Sequence, residues 1–154
     1  MDLEQLTDVF RRLGARDPES WASSQISGGI PQLARFVFLT AAWTHVVEPE
    51  GGAWIEEQLD AAVRWPQLGG HPVAAAIHAL RAKGAADHEL TALVRGMQSA
   101  LLFNVCYQLD AGGASYEDVT VRWELAQVDE QGQRLGSIDA LHESLCETDP
   151  AEEP

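Results

Sequence analysis

The stretch Asp87–Asp110, DHELTALVRGMQSALLFNVCYQLD, constrains the fold more than any other part of the chain. It contains no proline, opens on an aspartate and is followed by Gly112–Gly113, so it reads as one long helix. Asp87 is the expected N-cap, and Glu89 in the first turn complements the positive end of the helix dipole. Leu90, Val94, Met97, Leu101 and Val105 recur at helical spacing. Leu93, Ala100, Phe103 and Tyr107 form a second stripe, and Leu102, Cys106 and Leu109 a third. From Ala100 onward almost no polar face is left, which predicts a helix buried on several sides. Its length would be roughly 35 Å, about the diameter of a small domain. Asn104 is the polar exception and is read as a buried amide hydrogen-bonded to a neighbouring loop.

Shorter helices precede it. Asp2 and Gln5 have capping-box spacing ahead of a helix over Leu3–Leu13. Asp17–Pro18 pairs an N-cap with a proline at the first helical position, opening a short helix to Ile26. Ile30–Pro31 opens a helix to about Val47, the expected packing partner of the long helix. Its single cation, Arg35, is expected to snorkel or to pair with a carboxylate. A helix over Ala53–Trp65 turns Trp54, Ile55, Leu59, Ala62 and Val63 inward and Glu56, Glu57 and Asp60 outward, with Arg64 placed to pair with Asp60. A further helix covers Pro72–Lys83. Gly28-Gly29-Ile30-Pro31 and Gly69-Gly70-His71-Pro72 share a Gly-Gly-x-Pro pattern, read as repeated helix-start chemistry rather than a duplicated unit.

Beyond Gly113 the period changes to two. Val119, Val121, Trp123 and Leu125 alternate with Thr120, Arg122 and Glu124, predicting a strand to about Val128, a turn near Gly132 and a return strand over Arg134–Ile138. The fold class expected is therefore mainly α: a single-domain helical bundle around a central helix at about 87–110, with a small β-hairpin at about 119–138. Residues 1–146 form the globular part and 147–154 an acidic tail.

The chain has 24 acidic and 10 basic residues, for a formal charge of −14. Nucleic acid is disfavoured as a ligand because phosphate contacts need Lys and Arg, and anionic membrane surfaces are disfavoured for the same reason. The N-terminus, MDLEQLTDVF, lacks the basic-then-apolar pattern of a secretory signal. Two cysteines, Cys106 and Cys146, make no disulfide framework. A cytoplasmic location is the expectation.

No assembled reactive centre is legible. HExxH, paired CxxC, GxSxG and phosphate-cradling glycine patterns are absent, so neither a metal nor a cofactor is expected. Cys106, inside an apolar helix, should be inert. Trp65, at a helix end before Pro66, is the tryptophan expected to be partly exposed.

The segments Gly29–Phe36 (GIPQLARF), Leu125–Gly132 (LAQVDEQG), and Leu141–Ser144 (LHES) with Glu147–Pro150 (ETDP) resemble a family of small acidic bacterial proteins. The resemblance implies a bacterial origin and brings no mechanism. It draws attention to the polar string His142, Glu143, Glu147 and Asp149.

The function expected is a non-enzymatic binding module that engages a basic protein partner through acidic surface. An immunity-type inhibitor of a basic bacterial toxin is the concrete instance. The partner-binding residues expected are Glu48, Glu50, Glu56, Glu57, Asp60 and Trp65, together with His142, Glu143, Glu147 and Asp149. The alternatives are a structural or regulatory homo-oligomeric subunit, and a small-molecule or metal-dependent enzyme around His142.

Overall fold

The first helix, α1 (Leu3–Arg12), starts on the expected capping box. The Asp2 side chain accepts from the Gln5 amide at 2.9 Å, and the Gln5 side chain accepts from the Asp2 amide at 3.1 Å. In this computed structural model, residues 1–66 and 72–152 are described. Helix α2 (Pro18–Gly28) is capped by Asp17 and closed by Gly29 in the left-handed region, φ 63°. Helices α3 (Gln32–Trp43), α4 (Ala53–Arg64), α5 (Pro72–Ala82) and α6 (Asp87–Asp110) follow, and the chain is mainly α. The Gly69-Gly70-His71 part of the second Gly-Gly-x-Pro pattern lies outside the described residues. No helix among the described residues is long and apolar enough to cross a membrane.

The described residues fall into two compact units. One comprises Met1–His45 with Leu101–Pro154, the other Val46–Ala100. Helix α6 contributes its first part to the second unit and its last ten residues to the first.

In the first unit, Leu6, Phe10, Trp21, Ala22 and Phe36 form a buried cluster from α1, α2 and α3. Phe10 meets Phe36 edge-on at 5.6 Å, and Trp21 meets Phe36 edge-on at 5.2 Å. These are geometries that the ring quadrupoles favour. Helix α3 ends at Trp43, short of the expected Val47. The Thr44 hydroxyl bonds back to the Ala41 carbonyl at 2.7 Å, and β-branched Val46 and Val47 follow. Helix α3 packs on α2 and on the C-terminal segment, which folds as α7 (Leu141–Ser144) and a 3-10 turn, Cys146–Thr148.

That segment is held by three side chains from earlier helices and loops. The Trp43 indole donates to the Leu145 carbonyl at 3.1 Å and to Thr148 Oγ1 at 3.2 Å. Arg16 donates to the carbonyls of Cys146 and Asp149, each at 2.9 Å, and pairs with Glu152. Arg35 is buried and pairs with Asp139 at 3.0 Å, the second of the two outcomes expected of it. The stretch expected to be a loose acidic tail is thus tied down as far as Glu152. Part of the attachment is made by backbone carbonyls, which carry no sequence signature.

The β region also differs from expectation. The strand expected over 119–128 is split. Strand β2 (Val119–Arg122) pairs with β1 (Gly113–Tyr116), and β3 (Ala126–Val128) pairs with β4 (Arg134–Ser137), giving two antiparallel hairpins. Glu117 opens the two-residue turn between β1 and β2 with φ 53°, a conformation that usually selects glycine or asparagine, so the turn was not legible. In the second hairpin Arg134 bonds both Glu124 oxygens, at 2.6 and 3.1 Å. This bond, with help from Ser137, holds the Glu124 carboxyl below the usual range.

In the second unit Ile55, Ile77 and Leu90 form the core, with Trp54, Leu59 and Ala85 against it. The Trp54 indole donates to Thr91 Oγ1 at 2.9 Å, and that hydroxyl donates to the Gly51 carbonyl at 3.3 Å. Val63, expected inward, is 83 % exposed.

Helix α6 has the expected bounds but not the expected cap or burial. Asp87 is engaged by Arg81, at 2.9 and 2.8 Å, and Glu89 accepts from the Ala86 amide at 2.8 Å in its place. The hydrogen bond from Arg81 lowers the Asp87 pKa. Along the helix Cys106 is fully buried and Leu102 and Leu109 are half-buried. Leu101, Phe103, Val105 and Tyr107 are exposed, as are Leu93 and Met97 in the part belonging to the other unit. Asn104 is exposed rather than buried. The helix expected to be enclosed on several sides buries one.

Candidate functional site

In the first unit the structure brings His142 against the end of α6. Asp110, the last residue of that helix, accepts from the His142 backbone amide at 2.9 Å. The same oxygen, Oδ2, meets His142 Nδ1 at 2.5 Å. An ionised carboxylate only accepts, so Nδ1 carries the proton and Nε2 is left without one in the neutral ring. The Asp110 side chain is 9 % exposed and that of His142 is 25 % exposed. The other carboxylate oxygen, Asp110 Oδ1, is enclosed without a partner. Tyr107 and Phe103 meet the imidazole edge-on at 5.2 and 5.9 Å. Ala140, in the left-handed region at φ 52°, turns the chain into α7 and so aims His142 at Asp110. Sequence reading singled out His142 but not Asp110, Tyr107 or Phe103. The helical spacing of Phe103 and Tyr107 is the available signal, and it equally predicts core packing; Asp110 reads as the end of the helix.

The other expected residues of this unit diverge in environment. Glu143 and Glu147 are exposed. Asp149 is half-buried, and its side chain accepts from the Ala151 amide at 2.9 Å while its carbonyl accepts from Arg16. Asp149 is therefore engaged within the C-terminal segment. Glu147 and Asp149 border a depression of about 510 Å³ whose floor includes buried Phe36 and Thr148.

In the second unit Glu48, Glu50, Glu57 and Asp60 are exposed. Glu56 pairs with Arg81 at 3.0 Å and so is already engaged. Two of the remaining acids meet the expected tryptophan. Glu57, Asp60, Ala61, Arg64 and Trp65 line a shallow depression of about 260 Å³. Trp65 is 49 % exposed, as its place at the helix end implied. Glu57 and Asp60 form no ion pair among the described residues, and the Asp60–Arg64 bridge suggested by their spacing is not made.

Among the described residues no three His, Cys, Asp or Glu side chains converge as a metal ion requires. The two cysteines are free. Burial, with the nearby charge of Asp110, pushes the Cys106 thiol up to about 11, whereas Cys146 is exposed. The expected outcome of alkylation with iodoacetamide at mildly alkaline pH is one fast-reacting thiol, Cys146. Cys106 should be modified only after denaturant is added. Two fast thiols in the native protein, counted by mass spectrometry, would contradict the burial of Cys106.

Comparison with family models, with curated proteins and with solved structures finds no match to this chain.

Proposed function

We propose that the protein is a non-enzymatic binding module for a basic protein partner, received at the depression of Glu57, Asp60 and Trp65. An immunity-type inhibitor of a basic bacterial toxin is one instance of such a module. The observation that supports this most is that a half-exposed tryptophan and two carboxylates without ion pairs among the described residues line one concavity on a chain of charge −14. An indole face attracts a guanidinium or ammonium group, and carboxylates beside it hold the charge. The surrounding negative field raises the encounter rate with a basic surface. Arg64, which also lines the depression, opposes a cation there.

The test uses an arginine-rich peptide as the probe. Reversing both acids, Glu57→Lys with Asp60→Lys, is expected to weaken binding by about tenfold or more, in the range of losing two rim-to-core charges. Arg64→Ala should strengthen it, and added salt should weaken it. Binding left unchanged by the double reversal would refute the assignment.

A second reading, a small-molecule enzyme around His142, is favoured by one observation: Asp110 fixes the Nδ1 proton and leaves Nε2 without a partner among the described residues. That is the arrangement of an imidazole working as a general base. Turnover of activated esters that falls with both His142→Gln and Asp110→Asn would support it. Turnover indifferent to Asp110 would leave only the intrinsic reactivity of an exposed imidazole.

A further inference from the structure

Between Gly96 and Leu109, α6 carries no charged residue, in a chain where acids outnumber bases by 24 to 10. Within the first unit this uncharged stretch exposes Leu101 (64 %), Val105 (46 %) and Tyr107 (58 %). Clustered apolar exposure of this kind marks an interaction surface rather than ordinary solvent contact. Asn104 sits between them. Leu101 and Tyr107 are its neighbours at three residues on either side, and Gln108 lies one turn on. The Asn104 side chain is exposed and makes no hydrogen bond among the described residues.

We propose that a second copy of this chain covers this face, with two α6 helices crossing antiparallel about a two-fold axis at Asn104. The charge pattern selects this occupant. A basic partner is recognised by carboxylates, and this stretch of α6 carries none. Two copies of charge −14 repel each other except where both surfaces are uncharged, and an isologous contact places uncharged on uncharged. An asparagine amide is both donor and acceptor, so across a two-fold axis it satisfies its own copy and fixes the register, as a lone asparagine does in a helical seam. In that register Leu101 of one copy meets Tyr107 and Gln108 of the other. A depression of about 240 Å³ beside the face, lined by Val105, Gln108, Leu109 and Trp123, offers room for an aliphatic side chain.

This proposal stands apart from the basic-partner reading and has the opposite salt response. Screening relieves repulsion between like-charged copies, so salt should tighten the dimer, whereas it should loosen a basic partner. The experiment is sedimentation equilibrium of the full chain at low and high salt. A dimer that tightens with salt is expected. Leu101→Asp, on an exposed position that does not test the core, should weaken it by about 30-fold or more, the effect of losing a central anchor. As an independent arm, Asn104→Cys in a Cys146→Ser background should form an intermolecular disulfide under mild oxidant, and Val128→Cys in the same background should not. A chain that stays monomeric at every concentration and salt overturns the proposal. So does a dimer indifferent to Leu101→Asp, or Val128→Cys cross-linking as well as Asn104→Cys.

Discussion

Replacing Phe10 with alanine is expected to lower the stability of the first unit by about 3–5 kcal/mol, the range for removing a fully buried aromatic side chain. Phe10 has no exposed surface and touches both Trp21 and Phe36, with ring centroids at 5.8 and 5.6 Å. Its loss removes the transfer free energy of the ring. It also leaves a void between three helices that cannot all close on it, because α3 is held separately to the C-terminal segment through Trp43 and Arg35. Phe10→Leu, which refills part of the volume, should lose clearly less. Urea unfolding followed by tryptophan fluorescence checks the order. Equal losses for the two variants would mean that the cluster is not close-packed.

The second large effect concerns Arg35 and Asp139, where removing the exposed partner should cost more than removing the buried one. The guanidinium is enclosed, the Arg35 side chain being 8 % exposed against 67 % for Asp139. Its remaining contacts are weak: the Ser144 hydroxyl accepts at 3.4 Å, and Nε has no partner. Asp139→Ala therefore strands a buried charge, with an expected loss of about 2–3 kcal/mol. Arg35→Met removes the charge and keeps an apolar stem of similar length, and its expected cost is about 1 kcal/mol or less. Denaturation midpoints of the two variants at neutral pH decide it. An Arg35→Met variant less stable than Asp139→Ala would show that the ion pair itself contributes net stability.

What was legible in the sequence was local. Capping by Asp2 with Gln5 and by Asp17 with Pro18, the bounds of α6, the exposure of Trp65 and the pairing of Arg35 with an acid all follow from short-range chemistry or from a single conspicuous residue. What was not legible depended on contacts distant in sequence. An apolar helix surface looks the same whether or not another element covers it, so the spacing of Leu101, Val105 and Tyr107 predicts a core position although all three are exposed. The C-terminal segment looked loose because Arg16 and Trp43 bind its carbonyls, and carbonyls are common to every residue. Asp110 was missed as the partner of His142 because the two are 32 positions apart and Asp110 reads as the polar end of a helix. At the second-unit depression the residues were named individually. Their meeting follows from Glu57, Asp60, Ala61 and Arg64 sharing one face of α4, with Trp65 at its C-cap.

The most direct measurement of the binding reading is chemical-shift mapping of the nitrogen-labelled protein with the arginine-rich peptide, the Trp65 indole signal being identified by Trp65→Phe. The expected result is saturable perturbation of that indole and of the amides of residues 57–65, lost in the Glu57→Lys, Asp60→Lys protein. Perturbations spread over every acidic stretch, or centred on Glu143 and Glu147 with the Trp65 indole unmoved, would contradict it.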